Sequence, residues 1–267
     1  MAIPADRAQS LQRAVRILEC FTQDRPELGV REAARLAEMP SSVTGRLMVA
    51  MRDLGILSQN PLTRAYTLGP RVLEWAGAYL SNSDLRNLSM AHMRELHQST
   101  QETVSLYQLE GLERVCIERL ESPQTVRFVA PRVGRHLPLH AGAAGKVMLA
   151  YLPADRQNEY LTNAPLERLT EHTITDPELL RKEIAEIRIR GFAVSRGEWI
   201  QDACGIAAPI FDRNGDIQAA LNLSGPALRF TDDLVARLAI KVLRAASAVS
   251  AALGYRQHHH FAENNLG

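Results

Sequence analysis

The residues best placed to do chemistry fall in a few short stretches. The first is His140-Ala141-Gly142-Ala143-Ala144-Gly145-Lys146. A glycine-rich run ending in lysine can cradle a phosphate, but that loop needs glycine where His140 stands and Ser or Thr where Val147 stands, so the pattern fails at two positions. The second is Asn222-Leu223-Ser224-Gly225-Pro226, which lacks the first glycine of a nucleophile elbow. Cys204 with His140 would make a thiol–imidazole pair, and an enzyme reading would rest on it. The run His258-His259-His260 carries metal-binding nitrogens, but it reads as part of a solvated tail. No catalytic set, metal site or cofactor motif is therefore expected.

The remaining chemistry is recognition. Ala143 and Ala144 open a helix, and small residues there let an anion approach the free N–H groups of the first turn, where the helix dipole favours negative charge. Trp199 and Met148 are candidate apolar walls for an aromatic ring, and Cys204 is the cysteine best suited to line a pocket. The other two cysteines, Cys20 and Cys116, lie far from it in sequence, so all three read as small apolar residues of reduced interiors.

A second recognition surface is written between Val30 and Leu68. VREAARLAEM places Val30, Ala33, Ala34, Leu36 and Ala37 on one helical face, and Pro40 stops it. Ser41 or Ser42 is positioned to cap a following helix whose apolar stripe is Val43, Leu47, Val49, Ala50, Met51 and Leu54, closed by Gly55. Ser42, Thr44, Gly45, Arg46, Met48 and Arg52 are then left outward or at the rim. Ile56 to Gln59 and Arg64 to Leu68 flank a turn at Asn60-Pro61, a hairpin wing. From Met39 to Arg71 the basic residues Arg46, Arg52, Arg64 and Arg71 face Asp53 alone, a local cationic footprint suited to phosphates. Ser41 and Ser42 are expected on phosphates, Thr44 and Arg46 in the major groove, and Arg64 along the backbone from the wing. Gly45 is expected to let the helix approach the groove closely.

Whole-chain numbers fit a protein of which only part touches nucleic acid. The 267 residues carry a net charge of +1, and 46% are hydrophobic. Residues 1–70 hold nine arginines against seven acids, so specificity must come from the placement of a few arginines rather than from bulk charge. No apolar run is long enough to span a bilayer and the first residues lack a signal-peptide pattern, which points to a cytoplasmic protein without membrane contact.

The elements that must position these residues divide the chain. Leu11, Ala14, Val15, Leu18 and Phe21 trace a helix bracing the helix-turn-helix, so residues 1–70 form a winged helix-turn-helix domain. Val72 to Leu80 continue as an apolar helix that wants a partner, giving a linker and dimerisation helix over residues 71–84. Residues 85–254 read as an α+β domain with an antiparallel sheet: a helix, extended runs at Val104 to Leu109, Val115 to Leu120 and Val126 to Ala130, a helix through Leu152, a helix over Asp176 to Arg190, a hairpin from Gly205 to Leu223 and a last helix from Asp232. Residues 255–267 are expected to be a flexible tail.

Ser10-Leu11 with Arg13-Ala14, Arg46-Leu47, Tyr66-Thr67-Leu68-Gly69, Leu137-Pro138-Leu139-His140-Ala141 with Ala144-Gly145-Lys146, Arg190-Gly191-Phe192-Ala193, Ile206-Ala207-Ala208-Pro209-Ile210 and Leu223-Ser224-Gly225-Pro226 occur in one order across nearly the whole chain. In this set the chain resembles the isocitrate lyase regulator (IclR) family of bacterial transcription factors. The resemblance implies a winged helix-turn-helix that binds double-stranded operator DNA at palindromic or paired half-sites. It also implies a linker helix that dimerises, with tetramers as a further possibility, and a GAF-like domain that binds a small organic acid. It places Asn222, Ser224, Ser195 and Gly205 in the effector pocket, and Gly205 leaves room for more than a two-carbon acid. Two alternatives stay open: a C-terminal domain that only oligomerises, and an enzyme built on Cys204 and His140.

Overall fold

The computed structural model describes residues 5–22, 24–81, 84–126 and 131–256. The chain divides into two compact units, one up to Ser83 and one from Asp84 onward. Among the described residues, no helix is long and apolar enough to cross a membrane.

The first unit contains α1 (Ala5–Glu19), α2 (Val30–Leu36), α3 (Ser41–Asp53), β1 (Leu57–Gln59), β2 (Tyr66–Leu68) and α4 (Arg71–Ser81). The two strands pair antiparallel from Leu57↔Leu68 to Gln59↔Tyr66, and Leu28 bridges to Tyr66 as a third edge. Ala33, Ala34 and Ala37 of α2 are buried as their spacing predicts. The faces of the other two helices differ from expectation. In α1 the fully buried residue is Ile17, while Leu11 and Val15 are exposed. In α3 the core side is Thr44, Met48 and Met51, whereas Val49 and Leu54 are exposed. Two candidate stripes one residue apart differ by about 100° of rotation, and both contain apolar residues, so only packing against Ile17, Leu28 and Leu57 selects one. The start of α3 also differs. Pro40 occupies the N-cap position in extended conformation, neither serine caps, and the Pro40 carbonyl accepts from Val43 and Thr44 N–H.

The second unit opens with α5 (Asp84–Thr100), followed by β3 (Thr103–Glu110), β4 (Glu113–Leu120), β5 (His136–Pro138), α6 (Ala143–Tyr151), α7 (Ala154–Asn163), α8 (Pro177–Arg190), β6 (Ala193–Arg196), β7 (Ala203–Phe211), β8 (Ile217–Pro226), a short 3-10 turn and α9 (Asp232–Ala252). The strands form one antiparallel sheet in the order β5-β4-β3-β8-β7-β6. Period-two alternation sorts the side chains. Val104, Leu106, Ile117, Ile206, Ala208, Leu221 and Leu223 pack on α5 and α9, with Met93, Leu96, Leu238 and Val242 opposite. Tyr107, Cys116, Ala207 and Ala220 face α6 and α8, with Val147, Met148, Ile184 and Ile187 opposite.

The helix expected over Asp176 to Arg190 is capped by Asp176, whose carboxylate accepts from Glu178 and Leu179 N–H. The expected strand at Val126 to Ala130 is not supported at its first residue, since Val126 is an exposed bend, and residues 127–130 lie outside the described residues. So do His258 to His260 and the rest of the expected tail from residue 257. The sequence reading missed β5 and β6, which hold three and four residues and too few alternations to register. It also missed α7, where Tyr160 and Leu161 are the buried residues and no apolar stripe forms.

Candidate ligand cavity and nucleic-acid interface

The face of the sheet that meets the start of α6 is not completely filled. A cavity of about 420 Å³, counting its open mouth, lies there. Its floor comes from β7 and β8, where Gly205, Asn222 and Ser224 share one parity; Ser195 of β6 borders one side and Ala143 and Ala144 the helix end. Trp199 and Ile200 cover it from the loop between β6 and β7. Eight of the nine candidate effector residues thus meet at one cavity. Met148 does not. It is fully buried in the core between α6 and the sheet, one turn beyond the cavity wall, and corrects the expectation of an apolar lining residue there. Cys204 borders the cavity, but its side chain shares the parity of Ile206 and packs in the α5–α9 core.

Arg114, on β4, also lines the cavity and was missed by the sequence reading. It is 3% exposed. Its Nη1 donates to the Ala141 carbonyl at 2.8 Å, its Nε has no partner, and no carboxylate among the described residues lies within salt-bridge distance. The guanidinium stands 5.4 Å from the Tyr107 ring centroid and 5.8 Å from that of Trp199, which supplies cation–π attraction without neutralising the charge. Burial pulls its pKa below the ordinary guanidinium value. The sequence signal was available only as a charged residue between strand partners, and a lone arginine in a strand more often snorkels to solvent. Ser224 Oγ is likewise buried with no partner. Two orphaned polar atoms on one cavity wall mark a place for a polar ligand, since burial without a hydrogen bond is costly.

Lys146, the residue that made the glycine-rich run resemble a phosphate loop, points away from any such role. Its ammonium is buried and donates to Glu198 Oε1 at 2.6 Å, Glu183 Oε1 at 3.1 Å and the Val194 carbonyl at 3.1 Å. Glu198 Oε2 accepts from Gly142 N–H at the N-cap of α6, and Arg190 donates to Glu183 at 2.9 Å. The thiol–imidazole pair is also absent. His140 is bonded through Nδ1 to the Tyr160 hydroxyl and through Nε2 to the Glu167 carbonyl, and burial keeps its pKa low and the ring neutral. Burial pushes the Cys204 thiol up to about 11, so a thiolate is disfavoured.

In the first unit, α3 presents Ser41, Ser42 and Arg46 to solvent, with Val49 beside them. Thr44 corrects the expectation of a groove-facing residue. It is completely buried and its hydroxyl donates to the Pro40 carbonyl at 3.2 Å. Gly45 also has a different cause from the one expected: a Cβ there would meet Val30 Cγ1 at 3.3 Å, so the glycine serves the close crossing of α2 and α3. Arg52 is tied down, donating to Asp53 and to Gln59 Oε1, while Gln59 donates to the Arg64 carbonyl. It braces the wing against α3. Arg64 sits exposed at the wing tip with φ of +61°.

Comparison with known proteins agrees with this architecture. The profile of the IclR helix-turn-helix domain matches residues 10–61, and that of the bacterial transcriptional regulator IclR C-terminal domain matches residues 77–251. The regulator KipR of Bacillus subtilis is 31% identical over 250 residues, covering 94% of this chain and 99% of that protein. The regulator KdgR of Escherichia coli is 31% identical over 253 residues, covering 95% of each. An IclR homologue from Microbacterium hydrocarbonoxydans, solved in complex with 4-hydroxybenzoate, aligns with a TM-score of 0.79 at 32% identity, covering 91% of this chain and 98% of that one.

Proposed function

The chain belongs to the IclR family of bacterial transcriptional regulators, and we propose that it is a cytoplasmic homodimer controlling a catabolic operon in response to a small organic acid, aromatic in keeping with the walls of its cavity. It is a DNA-binding regulator and not an enzyme. The observation that carries the effector reading is the cavity itself, which is lined by Arg114 and Ser224, each with a buried polar atom that has no partner, and by Ala143 and Ala144 of the first turn of α6. The 4-hydroxybenzoate held by a homologue supports an acid of that size. On the DNA side, Ser41 and Ser42 suit phosphates, Arg46 suits the major groove and Arg64 suits the backbone beside it. Exposed Leu73 and Trp75 on α4, 76% and 52% exposed, support dimerisation through that helix and hence paired half-sites, with a tetramer as the larger assembly that sedimentation distinguishes.

A ligand shifts the DNA-competent state only through its differential affinity for that state, so effector and operator affinities are coupled reciprocally. The test is to select bound duplexes from random DNA and then titrate candidate acids with and without the selected site. Equal acid affinities in both conditions overturn ligand control. Absence of a thermal shift with every acid of the neighbouring catabolic pathway favours a domain that only oligomerises.

A further inference from the structure

We propose that Arg114 is the charge anchor of the cavity and that the effector is a monoanion, a single carboxylate on an otherwise uncharged body; this rests on the effector reading above. The argument is one of charge balance. Lys146 and Arg190 face Glu183 and Glu198 in one bonded network, two cations against two carboxylates. That network closes on itself. Arg114 is bonded to neither carboxylate: it is held by the neutral Ala141 carbonyl and two aromatic rings, with Nε unpartnered, and Glu198 acts on it only through space.

The sequence has reserved space for the guanidinium at this spot. A Cβ on Gly145 would stand 1.9 Å from Arg114 Nη1, and one on Gly142 would stand 3.3 Å from Nη2, so both glycines admit the cation to the first turn of α6. That turn carries the positive end of the helix dipole. Two positive features therefore converge in a buried place, and a buried charge without a counter-charge is disfavoured. One carboxylate set against the Arg114 guanidinium neutralises it while remaining within reach of the helix amides. A second carboxylate on the same ligand would lie near Glu198, which is bonded to Gly142 at the cavity edge, with no second buried cation to face it, since Arg135, 5.7 Å from the Trp199 ring, is exposed. Ser224 Oγ, which can both donate and accept, takes an uncharged polar group on the body of the ligand.

Isosteric probes that differ in charge alone test this. Calorimetric affinities of the full chain are measured for para-nitrobenzamide, para-nitrobenzoate and terephthalate, which carry zero, one and two negative charges on one shape, and for pentanamide, pentanoate and glutarate. Within at least one series the monoanion is expected to bind about tenfold or more tighter than both neighbours. Arg114→Gln should erase the preference for the monoanion over the amide. Glu198→Gln removes one negative charge and should shift the ratio of dianion to monoanion affinity upward about tenfold, a change that mere loosening of the fold does not produce. An amide that binds as tightly as its acid, or an Arg114→Gln protein that melts as wild type yet keeps the preference, overturns the proposal and leaves the effector cavity standing. A Glu198→Gln protein with an unchanged charge ratio also overturns it. Failure of all six probes to bind the wild-type chain refutes the effector reading beneath it.

Discussion

Replacing Lys146 by methionine isolates the contribution of the buried network beside the cavity. Methionine keeps most of the volume and removes the ammonium, which leaves Glu198 Oε1 without its donor at 2.6 Å and Glu183 Oε1 with Arg190 alone of its two donors. Removing one partner of a buried pair costs about 3–5 kcal/mol. At about 2–4 °C per kcal/mol for a unit of this size, the melting transition of the second unit falls by roughly 6–20 °C at pH 7. The pH dependence supplies an independent check. Burial raises the Glu183 pKa, but the charge and hydrogen bond of Lys146, joined by Arg190, outweigh it and hold the carboxyl below the usual carboxylate range. A depressed carboxylate stabilises the fold fully above its unfolded pKa and ceases to do so as pH falls through the folded value. In the variant the Lys146 attraction is gone and Arg190 alone faces Glu183, so less of this carboxylate's stabilisation remains to be lost in acid. The gap between variant and wild type should therefore narrow between pH 7 and about pH 4. Adding Glu198→Gln to Lys146→Met should recover part of the loss, because removing both members of a buried pair costs less than removing one. Scanning calorimetry of the full chain across pH measures all of this. A gap below about 1 kcal/mol at pH 7, as for an exposed pair, or one that widens in acid, refutes the network as described.

Three further outcomes follow from the geometry. Arg46→Ala should weaken operator binding by about 1–3 kcal/mol, with a loss that depends on the base at one operator position; a uniform loss with a shallower salt slope would assign Arg46 to phosphate instead. Thr44→Val removes the 3.2 Å bond to the Pro40 carbonyl and should lower stability by about 0.5–1.5 kcal/mol while leaving the selected DNA sequence unchanged, and a changed base preference would contradict its burial. In Gly205→Ala the added methyl would meet Asn222 Oδ1 at 3.4 Å and Ala143 Cβ at 3.6 Å, ordinary contacts that preserve the fold but narrow the cavity. Effector affinity should fall about tenfold or more, and calorimetry showing wild-type affinity would remove Gly205 from the binding surface.

The sequence by itself determined the elements with strong local signals. Pro40 and Gly55 bracket α3, Asp176-Pro177 starts α8, and the hairpin of β7 and β8 follows from two apolar runs around Asp212 to Gly215. It also determined the family, because motif order along a chain is a one-dimensional property. Tertiary structure decided which of two neighbouring stripes of α3 faces inward, making Thr44 a buried brace and Met48 a core residue, since rotation about a helix axis is set by what packs against it. It alone showed why Gly45 and Gly145 are glycines, each facing an atom brought close from another element. The cavity was half legible for the same reason. Ala143, Ala144, Gly205, Asn222 and Ser224 lie in recognisable motifs, whereas Arg114 looks like any strand arginine until β4, the start of α6 and Trp199 converge on it. Whether a charge is paired depends on residues distant in sequence, and the sequence records no distances. Only folding shows that Lys146 has three partners and that Arg114 is left with one.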